Sequence, residues 1–301
     1  MSVRSRPGYK DRTRDGDSYK PEPDQSSAMY VLGCLNRGAS DERLDRVVDR
    51  VVDRLSREGR VGVVRYDATI ADGTQESLTI GGDVTYGLGA DGDWTASGTG
   101  LSVAGALESL ATDCEYAVVV GVPRLRYPTL VVGDSPDDAG NVLATVSGPG
   151  DLEEQALVEA LEDEEPYETL ESLVARVKRS PRADRAGAIA TFTGRVRAKD
   201  EPDDTRTEYL EFEKYEGVAE QRMAALESDL KDREGVFDVE LYHRTGVVAD
   251  GEDIVFVVVL AGHREEAFRT VEDGINRLKD EVPLFKKEVT VEDEFWVHEQ
   301  A

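Results

Sequence analysis

Lys279, Lys286 and Lys287 place three of the chain's nine lysines within nine residues, in the stretch Arg277-Leu-Lys-Asp-Glu-Val-Pro-Leu-Phe-Lys-Lys-Glu288. Arginine supplies the other 27 basic residues, so lysine is scarce elsewhere and concentrated here. Arginine keeps its charge and is a poor nucleophile. A lysine that is desolvated or crowded by like charge gives up its proton and then serves as acid, base or nucleophile. Pro283 should turn the chain between Lys279 and Lys286 and bring the two amines near each other. If the residues after the turn form a strand, Lys286 and Glu288 share one face, where the carboxylate could orient the amine, and Lys287 lies on the other.

The elements that must position these residues follow from periodicity. A helix over 264–280 buries Ala267, Phe268, Val271, Ile275 and Leu278 and stops at Pro283. A helix around 168–179 opens this half, a second covers 218–231, and strands are expected at 186–196, 207–215, 236–244, 253–260 and 285–296. The order is that of an α+β domain. Polar motifs fall where the chain enters or leaves these elements: Thr191-Phe-Thr-Gly-Arg-Val-Arg197, His243-Arg-Thr-Gly246, Gly262-His-Arg-Glu-Glu-Ala-Phe268 and the lysine stretch.

With Leu210-Glu-Phe-Glu-Lys-Tyr215, these motifs resemble, in order and spacing from Leu173 to Trp296, the large subunit of molybdopterin synthase, the MoaE family. The resemblance implies an α/β-hammerhead fold and a sulfurtransferase with no bound cofactor or metal. Its substrate would be cyclic pyranopterin monophosphate. Its partner would be a small ubiquitin-fold carrier whose C-terminal thiocarboxylate supplies each of two sulfurs, and a homodimer would carry one such carrier at each end. Carried over motif by motif, Lys279 and Lys286 would be catalytic. Phe192, Arg195, Val196, Arg197, His263, Arg264, Lys287 and Glu288 would bind substrate. Phe285 stands where the family usually has tryptophan. The substrate and the thiocarboxylate are both anions, so uniting them requires fixed cations such as Arg197 and Arg264.

The first half reads differently. Residues 1–28 carry almost nothing apolar and are expected to be a disordered tail. A strand at 29–33, a helix striped by Leu44, Val47, Val48, Val51, Val52 and Leu55, and a strand at 61–66 form a βαβ opening. Gly33 to Ser40 has the spacing of a phosphate loop, but Ala39 occupies the lysine position and removes the main cation for a nucleotide. A loop-rich stretch at 72–100, a helix at 103–110 and apolar strands at 116–121 and 129–133 complete a small, mostly parallel α/β sheet. This half resembles the MobB family, whose fold is that of a P-loop protein. The expected domains are 29–134, an acidic linker over 135–165 with a short helix near 152–161, and 166–301.

Sixty-three acidic against 36 basic residues give a net charge of −27, a field that repels nucleic acid and anionic lipid. Acid excess with little lysine is the pattern of proteins from salt-in halophiles. No apolar run reaches membrane-spanning length and the N-terminus lacks a signal-peptide core, so a cytoplasmic protein is expected. Cys34, Cys114 and the three histidines lack metal-ligand spacing. Two other functions fit parts of the pattern. Ala39 argues against a nucleotide-dependent adaptor for cofactor maturation. The joint presence of Lys279, Lys286, Arg197 and His263-Arg264 argues against a scaffold that merely grips a ubiquitin-like tail.

Overall fold

The computed structural model describes residues 28–66, 84–90, 92–133, 140–199, 201–215, 217–291 and 294–297; the expected N-terminal tail lies outside them apart from Ala28. In the first half, β1 (Tyr30–Arg37), α1 (Asp41–Leu55) and β2 (Val61–Arg65) form the βαβ opening. A hairpin of β3 (Val84–Leu88) and β4 (Trp94–Gly98) precedes α2 (Val103–Leu110), β5 (Tyr116–Val120), β6 (Thr129–Gly133), β7 (Val142–Val146) and α3 (Glu154–Glu162). The sheet is wholly parallel in the order β2-β5-β1-β6-β7. Every residue of β5 and β6 is buried, as strands covered on both faces must be. The stripe of α1 packs with α3 on one face. On the other, α2 packs with Leu125 and Tyr127 of the β5–β6 connection.

Two expectations change here. The acidic stretch 135–165 is no linker where it is described. Its residues form edge strand β7 and, where the short helix was expected, helix α3, whose Leu157, Val158 and Leu161 enter the core. The acidic side chains of α3, and those that flank β7 in the sequence, had masked that apolar content. The residues with phosphate-loop spacing also do not wrap a loop. Gly33 to Arg37 continue β1 in register with Thr129 to Gly133 of β6. Only Gly38, Ala39 and Ser40 remain before α1, and the Asn36 side chain fills that turn. It accepts from the Ala39 N–H and donates to the Ala39 carbonyl, each at 2.9 Å. Gly133 is held by this approach, because at φ +129° a Cβ would lie 2.0 Å from the Arg37 oxygen.

The second half contains α4 (Leu170–Lys178), β8 (Ala188–Arg195), β9 (Thr207–Lys214), α5 (Val218–Lys231), β10 (Val236–His243), β11 (Gly246–Ala249), β12 (Asp253–Ala261), α6 (Arg264–Glu281), β13 (Leu284–Thr290) and β14 (Glu294–Val297). The single strand expected over 285–296 is therefore a hairpin, β13 pairing antiparallel with β14. Two antiparallel sheets result, β10-β12-β8 and β11-β9-β13-β14. On one face of β12, Val255, Val257, Val259 and Ala261 share a core with α5, α6 and the inner residues of β9. On the other, Phe256, Val258 and Leu260 pack against Leu173 and Val177 of α4. The architecture is a parallel α/β half followed by an α+β half, as the sequence suggested.

Candidate active site

Strand register decides which candidate side chains can meet. β8 runs antiparallel to β12, with Arg195 opposite Asp253 and Ala188 opposite Ala261. α6 begins two residues after β12 and spans about 27 Å, close to the length of that nine-residue strand. It therefore returns Lys279, in its last turn, to the end where Arg195, Val196 and Arg197 leave β8. A two-residue connection then opens β13, in which Lys286 is third.

Lys286 lies opposite Phe212 and Glu288 opposite Leu210. Directly opposed residues share a face, and Phe212 and Leu210 belong to the core. Lys286 is thus directed to the inner side of its sheet and is half-buried. The Phe212 ring meets the His243 imidazole edge-on at 4.8 Å. Burial pushes that imidazole down to about 4, so it is neutral at neutral pH, and its Nδ1 lies 2.8 Å from the Arg244 carbonyl. The Glu288 carboxylate accepts from the Thr207 hydroxyl, a partner no sequence signal identified.

Several candidates stand elsewhere. Val196 is 3% exposed in the core, with both backbone groups bonded to the β11–β12 turn, so its side chain cannot touch a ligand. The Arg195 guanidinium is committed to that turn, 3.0 Å from Asp253 and bonded to the Gly251 carbonyl. Phe192 packs against the core at mid-strand, opposite Val257, and is a wall of the helix–sheet interface. Lys287 points to the outer face, 4.0 Å from Glu211. His263 and Arg264 are exposed at the start of α6, the opposite end of the sheet. The seven-step length of β8, about 23 Å, separates them from Arg195, so one protomer does not bring all the candidates together. Arg197 and Lys279 are exposed at the lysine end. Among the described residues no three His, Cys, Asp or Glu side chains converge as a metal site would require, and no helix is long and apolar enough to cross a membrane.

The sequence pattern of the MoaE protein family matches residues 163–281. A probable molybdopterin synthase of Haloferax volcanii is 48% identical over 272 residues, covering 90% of this chain and 100% of that protein. The chain belongs to the MoaE family. A second relative in the family, the molybdopterin synthase catalytic subunit of Pyrococcus abyssi, is 38% identical over 111 residues, 37% of this chain and 74% of that protein. Membership makes the chain a transferase of molybdenum-cofactor biosynthesis. A MobB protein homolog from Bacillus stearothermophilus aligns over 38% of this chain and 75% of that one at 18% identity and a TM-score of 0.30, too distant to say anything of function. Within the MoaE family reading, the lysine end of the second half is the candidate active site.

Proposed function

We propose that the chain is the catalytic subunit of a molybdopterin synthase. It would move two sulfurs to cyclic pyranopterin monophosphate, each from the C-terminal thiocarboxylate of its own copy of a small ubiquitin-fold carrier. The observation that carries this reading is Lys286, a half-buried residue on an inner sheet face opposite Phe212, whose ring meets the neutral His243. Arg197 and Lys279 stand at the same end of the fold. In a chain of charge −27, gathered cations serve anions that the rest of the surface would repel.

Each group has a chemical task. Arg197 and Lys279 hold the phosphate and the carrier's anionic tail against each other. Lys286, facing inward from its strand, is placed to take a proton from or give one to the reacting centre, or to receive the tail's acyl group. Glu288 shares that face, and its bond to Thr207 fixes the strand on which the lysine rides. A second copy of the chain would bring His263 and Arg264 to the lysine end, since they lie too far away within one copy. The test is conversion of the cyclic pterin by purified protein with thiocarboxylated carrier in molar salt. Dithiolene product requiring both carrier and protein is expected; intact precursor after prolonged incubation overturns the reading.

A further inference from the structure

The motif His243-Arg-Thr-Gly246 is the turn that carries the chain from one sheet of the second half to the other, since His243 closes β10 and Gly246 opens β11. His243 lies opposite Val255 near the start of β12, and Asp253 on that strand lies opposite Arg195. The turn therefore stands at the lysine end of the fold. Gly246 makes it with φ +71°, where a side chain would be strained, and nothing lies within 4 Å of the Cβ it lacks.

Phe212 joins this turn to Lys286. Across β11, β9 and β13 it lies directly between Gly246 and Lys286. Opposed residues on one face have Cβ atoms about 5 Å apart, so Phe212 and Lys286 stand side by side at their base and the ring bounds the space open to the lysine stem. On the other flank Gly246 offers no side chain. The ring contact comes from His243, earlier in the same turn, edge-on at 73° with centroids 4.8 Å apart. Burial pushes this imidazole's pKa down to about 4, so it packs on the ring without setting a second cation near the lysine. The carbonyl 2.8 Å from Nδ1 can only accept, so Nδ1 carries the proton, and that bond fixes the imidazole plane. Arg244, which owns the carbonyl, is itself held on β12: its N–H donates to the Ile254 carbonyl at 2.8 Å and its guanidinium to the Asp253 carbonyl at 3.1 Å. A reacting group keeps its productive geometry when the side chains packed around it are locked in turn.

We propose that His243 is a positioning residue for the reaction: packed against the Phe212 ring, it fixes the wall that sets where the Lys286 amine can reach. This rests on the proposed function in taking Lys286 as the reacting amine. The test compares His243→Asn, whose amide can keep a bond to the Arg244 carbonyl but puts no ring on Phe212, with His243→Phe, which keeps a ring there and lacks the N–H. In full-length protein with thiocarboxylated carrier and cyclic pyranopterin monophosphate in molar salt, His243→Asn should lower kcat about tenfold, as misplacement of a reacting group does. KM for pterin and for carrier should stay within about twofold of the parent. His243→Phe should restore kcat to within about threefold of the parent, even where its melting temperature is the lower of the two. Adding His243→Asn to Phe212→Leu should lower kcat no further than Phe212→Leu alone, because both act through one contact. Unchanged kcat in folded His243→Asn, or equal losses in the Asn and Phe variants, overturns the inference; if His243→Asn does not fold, unchanged kcat in Phe212→Leu does so. A second readout needs no product: acetylation of Lys286 relative to Lys287 by acetic anhydride, quantified by mass spectrometry, should change by at least about twofold in His243→Asn and not in His243→Phe. An unchanged ratio in His243→Asn overturns the positioning role. A changed ratio in a protein that forms no product would keep that role and sink the synthase reading instead.

Discussion

Lys286 and Lys287 are neighbours in sequence and opposites in surroundings. Strand alternation turns Lys286 inward beside Phe212 and Lys287 outward toward Glu211. Lys286→Ala should therefore reduce product formation by a factor of about a hundred or more while leaving the melting temperature nearly unchanged. Lys286→Arg should fail almost as badly, because arginine neither deprotonates nor accepts an acyl group. An active Lys286→Arg enzyme would reduce the residue to an electrostatic anchor and move the chemistry to Lys279. A second residue outside the site gives a pH test. Burial raises the Glu227 carboxyl from 4.5 to about 7, although the Leu241 N–H donates to it at 2.8 Å. The folded state keeps that proton longer than the unfolded state, so Glu227 costs nothing below about pH 4.5 and costs stability increasingly as pH rises to about 7. Glu227→Gln cannot ionise. It should raise the melting temperature at pH 8, by up to about 3 kcal/mol of stability, and have no effect at pH 4. Equal gains at both pH values would show that ionisation is not the cause. His243 works with the opposite sign, since its contribution is lost as pH falls from 6.5 to about 4.

At the scale of elements, the β1–α1 connection shows how one side chain alters what a glycine spacing means. A phosphate loop leaves its backbone N–H groups free to point at an anion. Here Gly33 to Arg37 belong to the sheet, and the Asn36 amide occupies the turn that follows. Calorimetry with ATP or GTP and Mg²⁺ should accordingly detect no binding at micromolar concentrations. Micromolar binding would mean that this turn can open, and it would restore the adaptor reading. The α6–β13 connection has the opposite outcome. A helix as long as the strand beneath it and a two-residue turn at Val282 and Pro283 return both lysines to the end of the fold where β8 delivers Arg197.

Across the whole molecule, the two halves are joined by residues 165–169. The Tyr167 N–H donates to the Met29 carbonyl at 2.7 Å, and its ring meets Tyr127 edge-on. On the other side Thr245 donates to Glu165, and Arg176 spans Glu168 and Glu240. A fragment of residues 163–301 keeps every contact of the second set and loses those of the first. It should fold, melt several degrees below the full chain because Tyr167 and its neighbours become exposed, and convert the pterin at a comparable kcat with saturating carrier. A folded but inert fragment would assign the first half a part in the reaction.

Local chemistry made much of this legible. The stripe of α1, the apolar runs of β5 and β6, and the stop at Pro283 each depend on residues a few positions apart, and their periodicity survives in any context. The scarcity of lysine likewise marked Lys279 and Lys286. The acidic stretch that holds β7 and α3 misled because net charge reports the solvent face, whereas the buried face needs only Leu157, Val158 and Leu161. Only tertiary structure decided that Val196 belongs to the core while Arg197 reaches solvent, that Lys286 lies opposite Phe212, and that His263 and Arg264 sit a strand's length from the lysines. Those facts depend on register between segments far apart in the chain. Register is set by which faces bury apolar surface together, a property of the assembled layers and not of any one segment.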